Sequence, residues 1–184
     1  MPKLDNFRVA ILATDGFEEA ELTEPKKALE EAGARADVIS LKSGKIQAIK
    51  HHDKSIKVPV DRTFDEASPQ EYDAVVLPGG ALNADTMRAE EKVQSFLKAA
   101  HDSGKPFAVI CHAPWELVSA GIAQGHTMTS YYTIQDDIKN AGATWVDEEV
   151  VVDGDLVTSR QPSDLPAFNR EMIKLFARTP AGAR

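Results

Sequence analysis

The chain is predicted to fold as one α/β domain: a three-layer sandwich with a mostly parallel central sheet, helices on both faces and a small β-hairpin excursion. Three observations predict it. Short apolar runs alternate with segments of helical period along the whole sequence, the pattern that successive strand-helix units leave. The runs are bounded by turn-forming residues, among them Asp15-Gly16, Pro78-Gly79-Gly80 and Ser103-Gly104-Lys105-Pro106. The length, 184 residues of which 42% are hydrophobic and 27% charged, suffices for one well-buried domain and is too short for two. The domain is read as residues 1–184, with an ordered core from about 7 to 177.

Residues 7–14 make a strong first strand, closed by Asp15-Gly16. Glu18, Glu19, Glu21 and Glu24 follow, and Pro25 is placed near the start of a helix over 26–32, with Gly33 behind it. Carboxylates are favoured in a first helical turn and are solvated there, which accounts for most of them. Residues 36–41 read as the second strand. The segment 42–62 reads as an excursion with a small hairpin, its His51-His52-Asp53 an exposed polar turn and not a metal site, because strand neighbours point to opposite faces and no second cluster is in sight.

Residues 73–77 form another core strand. Asn83-Ala84-Asp85-Thr86 resembles a capped helix start, ahead of the apolar stripe Val93, Phe96, Leu97 and Ala100. A buried strand begins at Phe107 and runs into a helix with Pro114 in its first turn and Gly121 as its stop. Residues 125–132 read as a short strand and loop, and 134–141 as a helix ended by Gly142. Asp153-Gly154 turns a hairpin between 150–152 and 156–159. A final amphipathic helix carries Phe168, Met172, Ile173, Leu175 and Phe176, and residues 179–184 are expected to fray.

The single cysteine, Cys111, stands where the strand from Phe107 turns into its helix. Such a corner projects a side chain over the unpaired N–H groups of the helix, as a nucleophile elbow does; the bland alternative is one more small buried hydrophobe. A free thiol titrates near 8.5, and lowering that by about three units takes roughly 4 kcal/mol. A helix N-terminus supplies at most about 2 kcal/mol, so a second donor is required, from His112 or from a protonated carboxyl group. In a parallel sheet the loop after the first strand opens at the same edge as the elbow, and Glu18 lies nearest that strand end. The double glycine Gly79-Gly80 permits close approach of backbone N–H groups, as an oxyanion hole requires, or is a plain tight turn.

Bulk charge excludes some partners. The net charge is -8 with no basic run, which argues against nucleic acid and anionic membrane. No stretch has the length of a signal-peptide core or a membrane span, and one cysteine allows no internal disulfide; the reading is a cytoplasmic chain in a reducing compartment.

Five motifs in order, Gly16-Phe17-Glu18-Glu19-Ala20-Glu21-Leu22, Leu77-Pro78-Gly79-Gly80, Ala108-Val109-Ile110-Cys111-His112-Ala113-Pro114, Thr129-Ser130-Tyr131 and Gly142-Ala143-Thr144-Trp145-Val146-Asp147 with Asp153-Gly154, resemble the PfpI family. That family is related to Parkinsonism-associated deglycases and class I glutamine amidotransferases, and the resemblance covers nearly the whole chain. It implies a flavodoxin-like fold, with Cys111 as elbow nucleophile and His112 as the histidine that follows it. It further implies that Glu18 is the buried glutamate bonded to the thiolate, and that Gly80, beside Gly79, forms an oxyanion hole with the His112 N–H. An ionised Glu18 would raise the cysteine pKa, whereas a protonated one would donate to the sulfur, so Glu18 is expected to be protonated while Cys111 is ionised. PfpI-type proteases complete a triad with a glutamate of a neighbouring subunit. Aligned without a gap, this chain has Ala84 there, with Asp85 beside it, either a shifted triad member or a helix cap.

The resemblance implies a cofactor-independent cysteine hydrolase or lyase of stress defence, without a metal. The favoured substrates are methylglyoxal, glyoxal or their early adducts on protein amines, since an aldehyde is the easier electrophile for a site lacking a secure acid partner. The alternatives are a cysteine peptidase acting on peptide bonds, and a redox-sensing or chaperone-like stress protein. A homodimer or hexamer is implied by resemblance.

Overall fold

Along the first strand, β1 (Arg8–Leu12), alternation sends Val9 and Ile11 into one apolar layer and Ala10 and Leu12 into another, and all four are fully buried. A strand apolar on both sides needs cover on both faces, and that need organises the molecule. The computed structural model describes residues 1–182. After β1 come β2 (Phe17–Glu18), α1 (Glu19–Glu31), β3 (Arg35–Ser40), β4 (Lys45–Lys50), β5 (Asp53–Pro59), β6 (Arg62–Thr63) and β7 (Ala74–Leu77). The second half contributes α2 (Ala81–Ala89), α3 (Glu91–Asp102), β8 (Phe107–Ile110), α4 (Pro114–Ser119), β9 (Thr127–Met128), α5 (Gln135–Asn140), β10 (Thr144–Trp145), β11 (Val151–Asp153), β12 (Leu156–Ser159) and α6 (Leu165–Ala177).

The main sheet runs β11-β12-β8-β7-β1-β3-β6, and every pairing in it is parallel except the β11–β12 hairpin. Leu22 and Leu29 of α1 pack with Phe168, Met172 and Phe176 of α6 on one face. Val93, Phe96 and Leu97 of α3, Leu117 of α4 and Ile138 of α5 cover the other. This is the three-layer arrangement expected. The excursion is also present, as the antiparallel pair β4–β5 with β2 added alongside β4 in a separate three-stranded sheet. Among the described residues no helix is long and apolar enough to cross a membrane.

Three local expectations are corrected. Helix α1 starts at Glu19 and carries Pro25 inside it, not near its start. Its buried stripe is Glu21, Leu22, Pro25 and Leu29, at helical spacing, and this packing outweighs the hydrogen bond that proline removes. Helix α2 begins at Ala81, directly after Gly80, so Asn83 and Asp85 lie within it and neither is its cap. The tail is tied at least to Gly182, whose N–H donates to Asp73 Oδ1 at 3.1 Å. The rest of the segment expected to fray, Ala183 and Arg184, lies outside the described residues.

Candidate active site

Strands β7, β1 and β8 end at one edge of the sheet, and the loops leaving them meet there. Cys111 is the corner between β8 and α4, with φ of 65°, a left-handed value that a non-glycine residue adopts only under constraint. Its N–H donates to Ser159 O at 3.0 Å and its carbonyl accepts from Tyr131 N at 2.8 Å, so main chain on both sides holds the strained turn. The turn also breaks the strand's alternation. Ala108 and Ile110 pack with the α1–α6 layer, and Cys111 packs with that layer too, although alternation would have sent it to the opposite face. The thiol is thereby delivered to the first turn of α1.

There it meets Glu21. This residue is fully buried; its Oε1 accepts the N–H of Gly79 at 3.0 Å and its Oε2 is buried without a hydrogen-bond partner of good geometry. Burial, and then the charge of Glu18, push the Glu21 carboxyl up to about 8, against an ordinary value of 4.5. The carboxyl interacts directly with the Cys111 side chain. Burial and the Glu21 charge push the thiol up, while the N–H groups of Gly80 and His112 favour the ionised sulfur. The net direction for the thiol is well above its ordinary value, with burial the largest cause, so the expectation that Cys111 rests ionised beside a protonated carboxyl is corrected: Glu21 keeps its proton into the neutral range and the thiol keeps its own.

Glu18 stands elsewhere than expected. It is half-buried in β2 and both carboxylate oxygens accept the N–H of His51, at 3.2 Å each. The buried carboxyl at the thiol is Glu21. The error has a simple origin: placing the helix start at Pro25 left the glutamates in a loop, where proximity to the strand end favoured Glu18. The periodic stripe of Glu21 with Leu22, Pro25 and Leu29 was the signal that locates the inward-facing acid.

Both glycines of the second loop are required by contact. A Cβ on Gly79 would run into Glu21 Oε1 and approach Cys111 Cβ to 2.7 Å. Gly80, at φ of 92°, lies against the main chain of Gly16 and Glu18. Of the three groups expected to form the oxyanion hole, the N–H groups of Gly80 and His112 point at the sulfur, and that of Gly79 is engaged by Glu21. Asn83 fixes this loop: it accepts the N–H of Thr14 at 2.8 Å and donates to Pro78 O at 3.1 Å and Gly79 O at 3.0 Å.

His112 places Nδ1 3.2 Å from Cys111 Sγ, stacks on Tyr131 and meets Trp115 edge-on. Burial lowers its pKa, which keeps the imidazole neutral near pH 7. Asp85 is exposed on α2 and is not among the residues of the cavity. That cavity, about 430 Å³, is lined by Glu18, Glu21, Gly80, Cys111, His112 and Tyr131, with Ile49, Leu82 and Pro162. His51 and His52, expected to be only an exposed turn, are exposed but also border the cavity, because the β4–β5 hairpin folds back toward the sheet edge. Nothing local in the sequence announces that contact. Among the described residues no group of three His, Cys, Asp or Glu side chains is arranged to hold a metal ion.

Known proteins resemble this chain over nearly its whole length. A deglycase of Thermococcus kodakarensis is 48% identical over 169 residues, covering 92% of this chain and 99% of the relative. Protein/nucleic acid deglycase 2 of Escherichia coli is 43% identical over 170 residues, covering 92% and 97%. The crystal structure of a ThiJ/PfpI domain protein from Brachyspira murdochii superimposes with a TM-score of 0.84 at 26% identity, over 93% of this chain and 96% of that one. The family model described as DJ-1/PfpI matches residues 7–175, nearly the whole described fold, and the chain belongs to the DJ-1/PfpI family.

Proposed function

We propose that this protein is a cysteine-dependent deglycase and glyoxalase, acting on methylglyoxal, glyoxal or their early adducts on amines. The observation that carries the reading is the pairing of Cys111 with a buried Glu21 whose carboxyl is held up to about 8. A protonated Glu21 accepts the Gly79 N–H through Oε1; once the sulfur ionises, the buried and unpartnered Oε2 is the group that turns to donate to it, worth roughly 1.5 to 3 kcal/mol for a charged acceptor. The N–H groups of Gly80 and His112 add to it. The deglycase names of the relatives support the same substrate class.

In the proposed sequence the Cys111 thiolate adds to the aldehyde carbon of methylglyoxal, and the resulting oxyanion is met by the Gly80 and His112 N–H groups. Neutral His112 takes the proton from the former aldehyde carbon and returns one to the adjacent carbon, converting the hemithioacetal to a thioester. Water then cleaves the carbon–sulfur bond, releasing a hydroxy acid and the thiol. With a hemiaminal adduct the carbon–nitrogen bond breaks as the carbon–sulfur bond forms, and the amine leaves with the proton that the Cys111 thiol gives up. The peptidase alternative needs an acid partner for His112, and the exposed Asp85 supplies none at the cavity within this chain.

The test is steady-state consumption of methylglyoxal and release of amine from its adduct, by wild type and Cys111→Ser from pH 5 to 9, with a peptide amide alongside. Aldehyde turnover that vanishes in the variant is expected. Turnover of the peptide alone would overturn the reading.

A further inference from the structure

The β4–β5 hairpin carries a charge that the rest of the molecule does not. Residues 42–60 contain Lys42, Lys45, Lys50, Lys54 and Lys57 against Asp53, a net charge of +4 in a chain of -8, which leaves -12 elsewhere. Strand alternation, together with the register shift between Gln47 and Ile49, sorts these lysines. Lys45, Gln47 and Ile49 share one face of β4, and the register sets Lys57 opposite Gln47 and Lys54 opposite Ile49.

With Asp15, Gly16 and Leu82, that face encloses a hollow of about 450 Å³. Asp15 is already engaged, accepting the N–H of Gln47 at 2.7 Å. Among the described residues Lys45, Lys54 and Lys57 enter no ion pair, and with Asp15 as the one carboxylate of the lining the hollow carries a net charge of +2. The hollow adjoins the catalytic cavity, because Ile49 and Leu82 line both.

We propose that this hollow is a phosphate subsite: the reactive carbonyl carbon lies at Cys111, the apolar pair Ile49 and Leu82 supports the middle of the substrate, and a phosphate group it carries is held by Lys45, Lys54 and Lys57. In an acidic protein an isolated basic hollow concentrates anions locally, an effect screened over about 10 Å at 0.1 M salt. The phosphate belongs either to a small phosphorylated aldehyde or to a nucleotide bearing the adduct on its base. Overall charge argued against nucleic acid as a partner; the fold gathers the cations that the total conceals.

The subsite extends the deglycase reading for turnover and stands apart from it for binding, so the test has both arms. Inorganic pyrophosphate is titrated calorimetrically into the wild type and into the K45Q/K54Q/K57Q variant, three exposed positions outside the catalytic groups. Binding at least tenfold weaker in the variant, and weaker at 0.2 M than at 0.02 M salt, is expected. No binding to the wild type, or equal binding to both, overturns the proposal, as does a change in sedimentation of the variant without pyrophosphate binding, which would make this face a contact between copies. In the turnover arm, glyceraldehyde 3-phosphate is compared with glyceraldehyde, and the methylglyoxal adduct of a guanine mononucleotide with that of its nucleoside. The variant is expected to raise KM at least tenfold for one phosphorylated member and to leave methylglyoxal turnover unchanged. The pair that responds identifies the source of the phosphate; no response in either pair overturns the substrate role. Lysine-dependent pyrophosphate binding with no turnover of any carbonyl would sink the deglycase reading while the anion site stands.

Discussion

Glu21 Oε1 accepts the N–H of Gly79 at 3.0 Å, and a methyl group added to Gly79 would strike that same oxygen and crowd Cys111 Cβ at 2.7 Å. The glycine therefore does two things for the glutamate: it supplies a donor and it leaves room for the acid to lie beside the sulfur.

Gly79→Ala should separate the acid from the thiol. The expected outcome is a drop of at least tenfold in the rate at which iodoacetamide alkylates Cys111 at pH 6, with about 1 to 3 kcal/mol of lost stability from overpacking. Alkylation kinetics with a urea melt checks both.

The two glutamates should part company under substitution. Glu21→Leu is expected to slow Cys111 alkylation at pH 6 by tenfold or more, whereas Glu21→Gln, which retains an N–H donor, should stay within a few-fold of wild type. Glu18→Gln should leave the thiol nearly as reactive and move only the alkaline limb, because its charge acts on Glu21 and not on the sulfur's own hydrogen bonds. A Glu18→Gln enzyme as impaired as Glu21→Leu would return the role to Glu18.

Stability should fall as pH rises through the neutral range. Glu21 titrates near 4.5 unfolded and about 8 folded, so the native state holds a proton that the unfolded state gives up. Its contribution is complete below about 4.5 and lost progressively toward about 8, on the order of 5 kcal/mol in total. Urea denaturation at intervals between pH 5 and 8.5 measures the slope, and Glu21→Gln should flatten its share.

Glu116 offers a stabilising change. It is fully buried in α4, neither carboxyl oxygen has a hydrogen-bond partner, and burial holds its pKa well above the ordinary value. Glu116→Leu should raise stability by about 1 to 3 kcal/mol, or roughly 2 to 4 °C per kcal/mol in Tm, since it removes an unsatisfied buried polar group without opening a cavity. A lower Tm in a thermal scan at pH 7.5 would count against it.

Much of this was legible in the sequence because it rests on short-range physics. The elbow was found from an apolar run, a lone cysteine and Pro114, all adjacent in the chain, and the β11–β12 turn from Asp153-Gly154. What failed was a helix boundary. Tertiary packing of the Glu21, Leu22, Pro25 and Leu29 stripe carried α1 back past its proline, and one displaced boundary moved the acid from Glu21 to Glu18. The basic hollow and the approach of His51 and His52 depend on where the hairpin folds back, a relation between segments far apart in sequence and outside the reach of any local pattern.

The contact of Gly80 with Gly16 is main chain against main chain, with no side chain between them to act as a cushion. The loops after β7 and β1 are therefore geared together. The Glu18 N–H also donates to Gly79 O at 3.3 Å across this joint, so the main chain that presents the Gly80 donor also sets the start of α1, and through it the acid at Glu21.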